Sequence, residues 1–172
     1  MQETGHALLE KGGYTRYEVS AYSLAGKQCR HNLNYWKFGD YLGIGAGAHA
    51  KITDAATRTI ARTSKVKHPR AYLDNAQSPQ RICTTAALTQ GDVTLEFAMN
   101  ALRLDHGFSI AEFTSVTGLP WPAIEETVNK LVEDGLLSFD SDLIRATIKG
   151  QRYLDELLQR WLPEPSSNAE TG

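Results

Sequence analysis

The sequence predicts two successive units, a segment of an α/β domain followed by a mainly α, winged-helix-like domain. Three observations carry this. The first 75 residues alternate helix-like and strand-like pieces around glycine stops; residues 90–162 show helical apolar spacing interrupted by one hairpin signal; and formal charge changes sign between the halves. Residues 1–80 hold eleven Lys/Arg against six Asp/Glu, whereas residues 81–162 hold seven against twelve. The polar, proline-containing stretch Asn75-Ala76-Gln77-Ser78-Pro79-Gln80 reads as the linker, dividing the chain into residues 1–75 and 80–162.

Within the first unit, residues 7–11 form a short helical stretch ended by Gly12-Gly13. Residues 14–20 (Tyr-Thr-Arg-Tyr-Glu-Val-Ser) are aromatic and β-branched and read as a strand. Residues 41–50 read as a buried strand running into a glycine-rich turn, and residues 57–63 as another strand with Arg58 and Arg62 on one face. Three strands in so few residues close neither a barrel nor a sandwich, so this unit reads as part of something larger.

In the second unit Asp92 is positioned to cap a helix whose apolar residues Val93, Phe97, Ala101 and Leu104 recur at helical spacing. Ser109-Ile110-Ala111-Glu112 has the form of a capping box, with Gly118 just beyond the helix end. Pro122 opens a further helix along the stripe Trp121, Ile124, Val128, Leu131 and Val132, closed by Gly135. Residues 136–139 and 143–146 flank Asp140-Ser141-Asp142 as a hairpin, and a last helix carries Leu154, Leu157, Leu158, Trp161 and Leu162. The remaining residues 163–172 have nothing to bury and read as a disordered tail.

Composition excludes several function classes. At 172 residues, 41% hydrophobic and a formal charge of −2, the chain reads as soluble and globular, with no membrane span and no signal peptide; the cytoplasm is the expected location. Nucleic-acid binding is disfavoured because residues 121–134, where a recognition helix would lie, carry Glu125, Glu126, Glu133 and Asp134 against Lys130 alone. Gly43-x-Gly45-x-Gly47 lacks the helix and the third-glycine spacing of a dinucleotide fingerprint. Alternating glycines there speak instead for close backbone packing or close approach by a ligand. Cys29 and Cys83 are the only cysteines, too few for a disulfide framework or a thiolate-held iron–sulfur cluster.

The densest chemistry lies in His31-Asn32-Leu33-Asn34-Tyr35-Trp36, set between Gln28-Cys29-Arg30 and Gly39-Asp40-Tyr41. One reading is structural: aromatics at a rim, amides bonding a loop and a satisfied histidine. The other has His31 as an axial ligand to a haem iron, Tyr35 or Trp36 against the macrocycle, and Arg30, Lys37 or Arg16 facing its propionates. Cys29 is a second candidate ligand. Spacing by itself leaves both readings open.

Tyr17-Glu18-Val19-Ser20, the run from Cys29 to Trp36 and the run from Gly39 to His49 resemble the C-terminal half of HemW-type haem chaperones, relatives of the oxygen-independent coproporphyrinogen III oxidases in the radical S-adenosylmethionine superfamily. Glu96-Phe97-Ala98-Met99-Asn100-Ala101-Leu102-Arg103-Leu104, Gly107-Phe108, Gly118-Leu119 and Gly135-Leu136-Leu137 resemble that family's C-terminal domain. The resemblance implies an α/β partial (incomplete) barrel segment over residues 1–75, followed by the mainly α winged-helix-like HemN C-terminal domain over residues 80–162. It also implies haem binding at His31, Asn32, Tyr35 and Trp36, with His31 on the metal. Full-length members hold a [4Fe–4S] cluster through Cys-x-x-x-Cys-x-x-Cys and bind S-adenosylmethionine beside it; Cys29 and Cys83, 54 positions apart, do not reproduce that motif. The expectation is therefore a C-terminal fragment that binds haem or porphyrin without radical chemistry of its own. Its expected partners are a haem-accepting protein or a separate N-terminal half. Two alternatives stand beside it: an oxidase-type enzyme fragment that decarboxylates porphyrinogen propionates once completed, and an interaction module.

Overall fold

A computed structural model describes residues 2–162; the expected tail, residues 163–172, lies outside them. Helix α1 (Gln2–Lys11) stops at Gly12-Gly13, as the glycine pair predicts. The aromatic stretch after it divides into a hairpin, β1 (Thr15–Glu18) and β2 (Ala21–Ser23), with Thr15 opposite Ser23 and an irregularity between Arg16 and Glu18. Helix α2 (Arg30–Trp36) holds the hexapeptide. Strands β3 (His49–Asp54), β4 (Thr59–Lys65) and β5 (Ile82–Ala87) then form an antiparallel sheet in the order β3-β4-β5, with α3 (Pro69–Asp74) in the connection between β4 and β5.

Several expectations fail here for identifiable reasons. The buried strand proposed for residues 41–50 is mostly loop: Tyr41 makes one bridge to Lys51, Gly45 and Gly47 take positive φ, and Leu42 and Ile44 are 77% and 87% exposed. Positive φ cannot continue a strand, so pairing begins at His49. Arg58, at φ 55°, lies in the turn between β3 and β4 and shares no strand face with Arg62. Residues 75–80 are no free linker, because β5 follows and pairs back onto β4, with Thr63 opposite Thr85. Every strand pairing among the described residues is antiparallel, and no barrel closes.

Beyond β5 the sequence pattern and the fold agree closely. Helix α4 (Gln90–Ala101) buries Val93, Phe97, Ala98 and Ala101. Its cap is Thr89 rather than Asp92: the Thr89 Oγ1 accepts from the Asp92 amide, while the Asp92 carboxylate accepts from Thr89. Strand β6 (Phe108–Ser109) leads into α5 (Ile110–Thr117), which has the expected Ser109–Glu112 capping box and a left-handed Gly118. A 3-10 turn (Trp121–Ala123) precedes α6 (Glu125–Glu133), followed by β7 (Leu137–Asp140) and β8 (Leu143–Ala146). These form a second antiparallel sheet in the order β6-β8-β7. The expected last helix is broken at Tyr153 into α7 (Ile148–Arg152) and α8 (Leu154–Gln159).

One core runs through both halves. Phe97 sits at its centre, with its ring centroid 5.9 Å from Phe38, 4.8 Å from Phe108 and 5.1 Å from Phe113, all edge-on. Phe38 and Ile60 come from the first half of the chain and the other two rings from the second. Burying a phenylalanine of this kind stabilises by about 1.5–3 kcal/mol, so the halves are joined by more than chain connectivity.

Candidate functional site

The His-Asn-x-x-Tyr-Trp spacing has a direct consequence on a helix. At about 100° per residue, His31, Asn32, Tyr35 and Trp36 occupy one arc of roughly 140°, with Leu33 and Asn34 outside it. Within that arc His31 and Tyr35 are in contact. His31 is exposed and meets Tyr35 edge-on at 4.9 Å; Tyr35 in turn lies 4.6 Å from the ring of Tyr41. Asn32 and Trp36 lie further round the arc, and Trp36 shares a cleft with Phe97 and Ala101 of α4. The Trp36 ring stands 4.6 Å from the guanidinium of Arg103, and its buried indole N–H has no hydrogen-bond partner.

A charge clamp stands behind Tyr41 and another against Trp36, each reaching α4 or its C-terminal end. Tyr41 Oη accepts a 2.9 Å hydrogen bond from Arg62 of β4, and Arg62 donates two further bonds, 2.9 and 2.6 Å, to one Glu96 oxygen. Burial disfavours the Arg62 charge, but the Glu96 carboxylate and Tyr41 outweigh it and raise the pKa. Trp36 rests on Arg103, which pairs at 3.2 Å with Glu18, a carboxylate only 2% exposed. The other Glu18 oxygen accepts from the amide and the hydroxyl of Ser20.

The turn after α2 is fixed by a third set of contacts. Asn34 donates to the Asp40 carbonyl at 2.9 Å, and a Cβ at Gly39 would run into the Asn34 side-chain oxygen, so glycine is required there. Phe38 adopts φ 59° and lies under the ammonium of Lys51, which is buried and donates to the Phe38 carbonyl at 2.8 Å. Desolvation pushes the Lys51 pKa down despite its pairing with Asp40. At Asp40 burial acts upward, yet hydrogen bonds from Thr53 and Lys51 prevail and hold the carboxyl below its ordinary value.

A small apolar cleft opens beside Trp36, lined in part by Ala101, Leu104, His106, Phe108 and Val116, with a volume of about 80 Å³. That is well under the roughly 300 Å³ at which small-molecule pockets begin, so a porphyrin cannot enter it. The outer face of α2, carrying His31 and Tyr35, has no such limit. Of the cations considered for propionates, Arg16 is committed to Asp105 at 2.9 Å and to Gln151 at 2.7 Å, whereas Arg30 and Lys37 are exposed. Cys29 is exposed at the N-terminus of α2, and Cys83 is exposed on β5. Among the described residues no group of three or more His, Cys, Asp and Glu could hold a metal ion, and no helix is long and apolar enough to cross a membrane. Sequence reasoning found the hexapeptide but missed Arg62, Glu96, Arg103 and Tyr41 as its supports.

Residues 88–153 match the HemN C-terminal domain, the region built from α4 to α7. The fold also resembles coproporphyrinogen III oxidase (HemN) from Escherichia coli, a radical SAM enzyme, with a TM-score of 0.61 at 16% identity over 93% of this chain and 39% of that one. More particularly, the chain is similar to the haem chaperone HemW. It is 41% identical to HemW of Haemophilus influenzae and 40% identical to that of Escherichia coli, in each case over 94% of its length. A mitochondrial radical S-adenosyl methionine domain-containing protein of Dictyostelium discoideum is 30% identical over 89% of the chain. The chain spans about two fifths of the length of these relatives: 41%, 42% and 39% respectively.

Proposed function

We propose that this chain binds haem on the outer face of α2, as the haem-handling part of a HemW-like chaperone acting in the cytoplasm. The observation that carries the reading is the placement of His31, Asn32, Tyr35 and Trp36 on one arc of a helix, with the His31 imidazole exposed and Tyr35 packed beside it. His31 would ligate the iron. Tyr35 would lie against the porphyrin, Asn32 and Trp36 would shape its inner border, and Arg30 and Lys37 are the cations free to meet propionates. Haem is cargo here, passed to an accepting protein.

Two exposed cysteines do not fit a three-thiolate cluster motif, so no reaction step is assigned to them. An oxidase-type role would require cluster ligands other than Cys29 and Cys83. The helix and strand order from α4 to β8, with β8 central in its sheet, supports a winged-helix reading. Its α6 exposes Glu125, Glu126 and Glu133, which suits docking to protein rather than to nucleic acid.

Titration with hemin tests the proposal. The expected result is a Soret band that weakens strongly in His31→Ala and persists in His106→Ala. No band in the unsubstituted chain would leave an interaction module as the better reading. Loss only in His106→Ala, with His31→Ala unaffected, would overturn the assignment of His31 as the iron ligand.

A further inference from the structure

Resting on the haem reading, we infer that Tyr41 is a third ring of the haem-binding surface, held in place by Arg62 and, through it, by Glu96 of the C-terminal domain. Tyr41 lies outside the hexapeptide, five residues beyond its end, in a segment that the sequence suggests is buried strand. The fold instead brings its half-buried ring to 4.6 Å from Tyr35, which is itself 4.9 Å from His31, so three rings run without a gap from the proposed iron ligand. A histidine and one tyrosine cover little of a macrocycle. A third contiguous ring extends the apolar contact in the direction a flat ligand needs.

The anchoring distinguishes this ring from an ordinary surface tyrosine. Its hydroxyl accepts from Arg62 at 2.9 Å, and Arg62 is fixed by two bonds to Glu96. Rotation of Tyr41 toward or away from Tyr35 would break that bond. Glu96 and Arg62 are thus positioning residues: they touch no ligand, but they set the ring that does. It follows that the HemN C-terminal domain contributes to haem binding without donating a ligand to it.

Tyr41→Leu and Tyr41→Phe together make the test, because both lose the bond to Arg62 and only Phe keeps a ring. In hemin titrations of the full chain, Tyr41→Leu should bind about tenfold more weakly, the equivalent of losing one good aromatic contact. Its Soret maximum should stay where it was, since His31 is intact. Tyr41→Phe should recover part of that loss, staying about threefold weaker than the unsubstituted chain because it lacks the bond to Arg62, and Glu96→Gln should weaken binding by a similar, roughly threefold factor through the loosened clamp. Thermal melting of each variant identifies any that fail to fold, in which case the comparison of Phe with the unsubstituted chain decides. Equal affinities for Leu and Phe, with His31→Ala still defective, would overturn the inference and leave the haem reading standing. Absence of any Soret band in the unsubstituted chain would overturn both.

Discussion

Replacing Arg103 by methionine is expected to destabilise the protein by about 3 kcal/mol. Methionine keeps the unbranched stem but removes the charge that faces Glu18 Oε2 at 3.2 Å. Ser20 bonds only the other oxygen, Oε1, at 2.9 and 2.7 Å, so a carboxylate 2% exposed is left half-solvated by protein and otherwise unpaired. Removing one member of a buried pair costs about 3–5 kcal/mol, and the Arg103 side chain is itself 29% exposed, which lets water into the gap and argues for the lower end. Loss of the guanidinium from the Trp36 face, 4.6 Å away, adds about 0.5–1 kcal/mol, partly overlapping the first effect. Urea unfolding followed by tryptophan fluorescence measures the change. In the double variant, Glu18→Gln should restore about 1–2 kcal/mol, because a stranded amide costs less than a stranded charge. A loss below about 1 kcal/mol in Arg103→Met, or a double variant less stable than the single, would refute the idea that this clamp carries the β1–α4 junction.

Two glycines with the same positive φ should respond differently to alanine. Gly107 and Gly118 both take φ 71°, but a Cβ at Gly107 would meet the Ile144 carbonyl while at Gly118 it meets nothing. Gly118→Ala is expected to cost about 1 kcal/mol and Gly107→Ala about 3 or more, read from urea midpoints. For Asp40, burial opposes ionisation but the bonds from Thr53 and Lys51 win, so its folded pKa is depressed. Its stabilisation is then present above the unfolded carboxyl value near pH 3.9 and lost as pH falls through the lower folded value. Melting temperature should consequently fall less on acidification from about pH 5 to pH 3 in Asp40→Asn than in the unsubstituted chain.

The elements most legible in the sequence are those whose determinants are local. Ser109 and Glu112 announce α5 three residues apart, Gly118 ends it, and Asp140-Ser141-Asp142 turns β7 into β8 with Ser141 at φ 60°. Thr89 was obscured by Asp92 because a capping box uses both, and composition does not say which is the cap. Residues 41–50 misled because apolar residues alternate there with glycines, a strand pattern that positive φ at Gly45 and Gly47 overrides. In the site, the four hexapeptide residues were visible as a motif, but their clamps were not. Arg62 and Glu96 are 34 positions apart, Glu18 and Arg103 are 85, and no periodicity or spacing rule links residues at such distances. Tyr41 was hidden for a related reason, since its partner ring belongs to a helix and its own segment to a loop.

The shared core also bears on how this protein can be divided. The matched domain begins at Leu88, yet Phe38 and Ile60 fill the same core as Phe97 and Phe113. A segment cut at that boundary would leave an aromatic-sized hole against Phe97, and a graft of residues 88–153 onto a foreign partner would inherit it. Exchange between relatives should therefore move the Phe38 turn and β4 together with the helical part, treating as one heritable module what alignment draws as two.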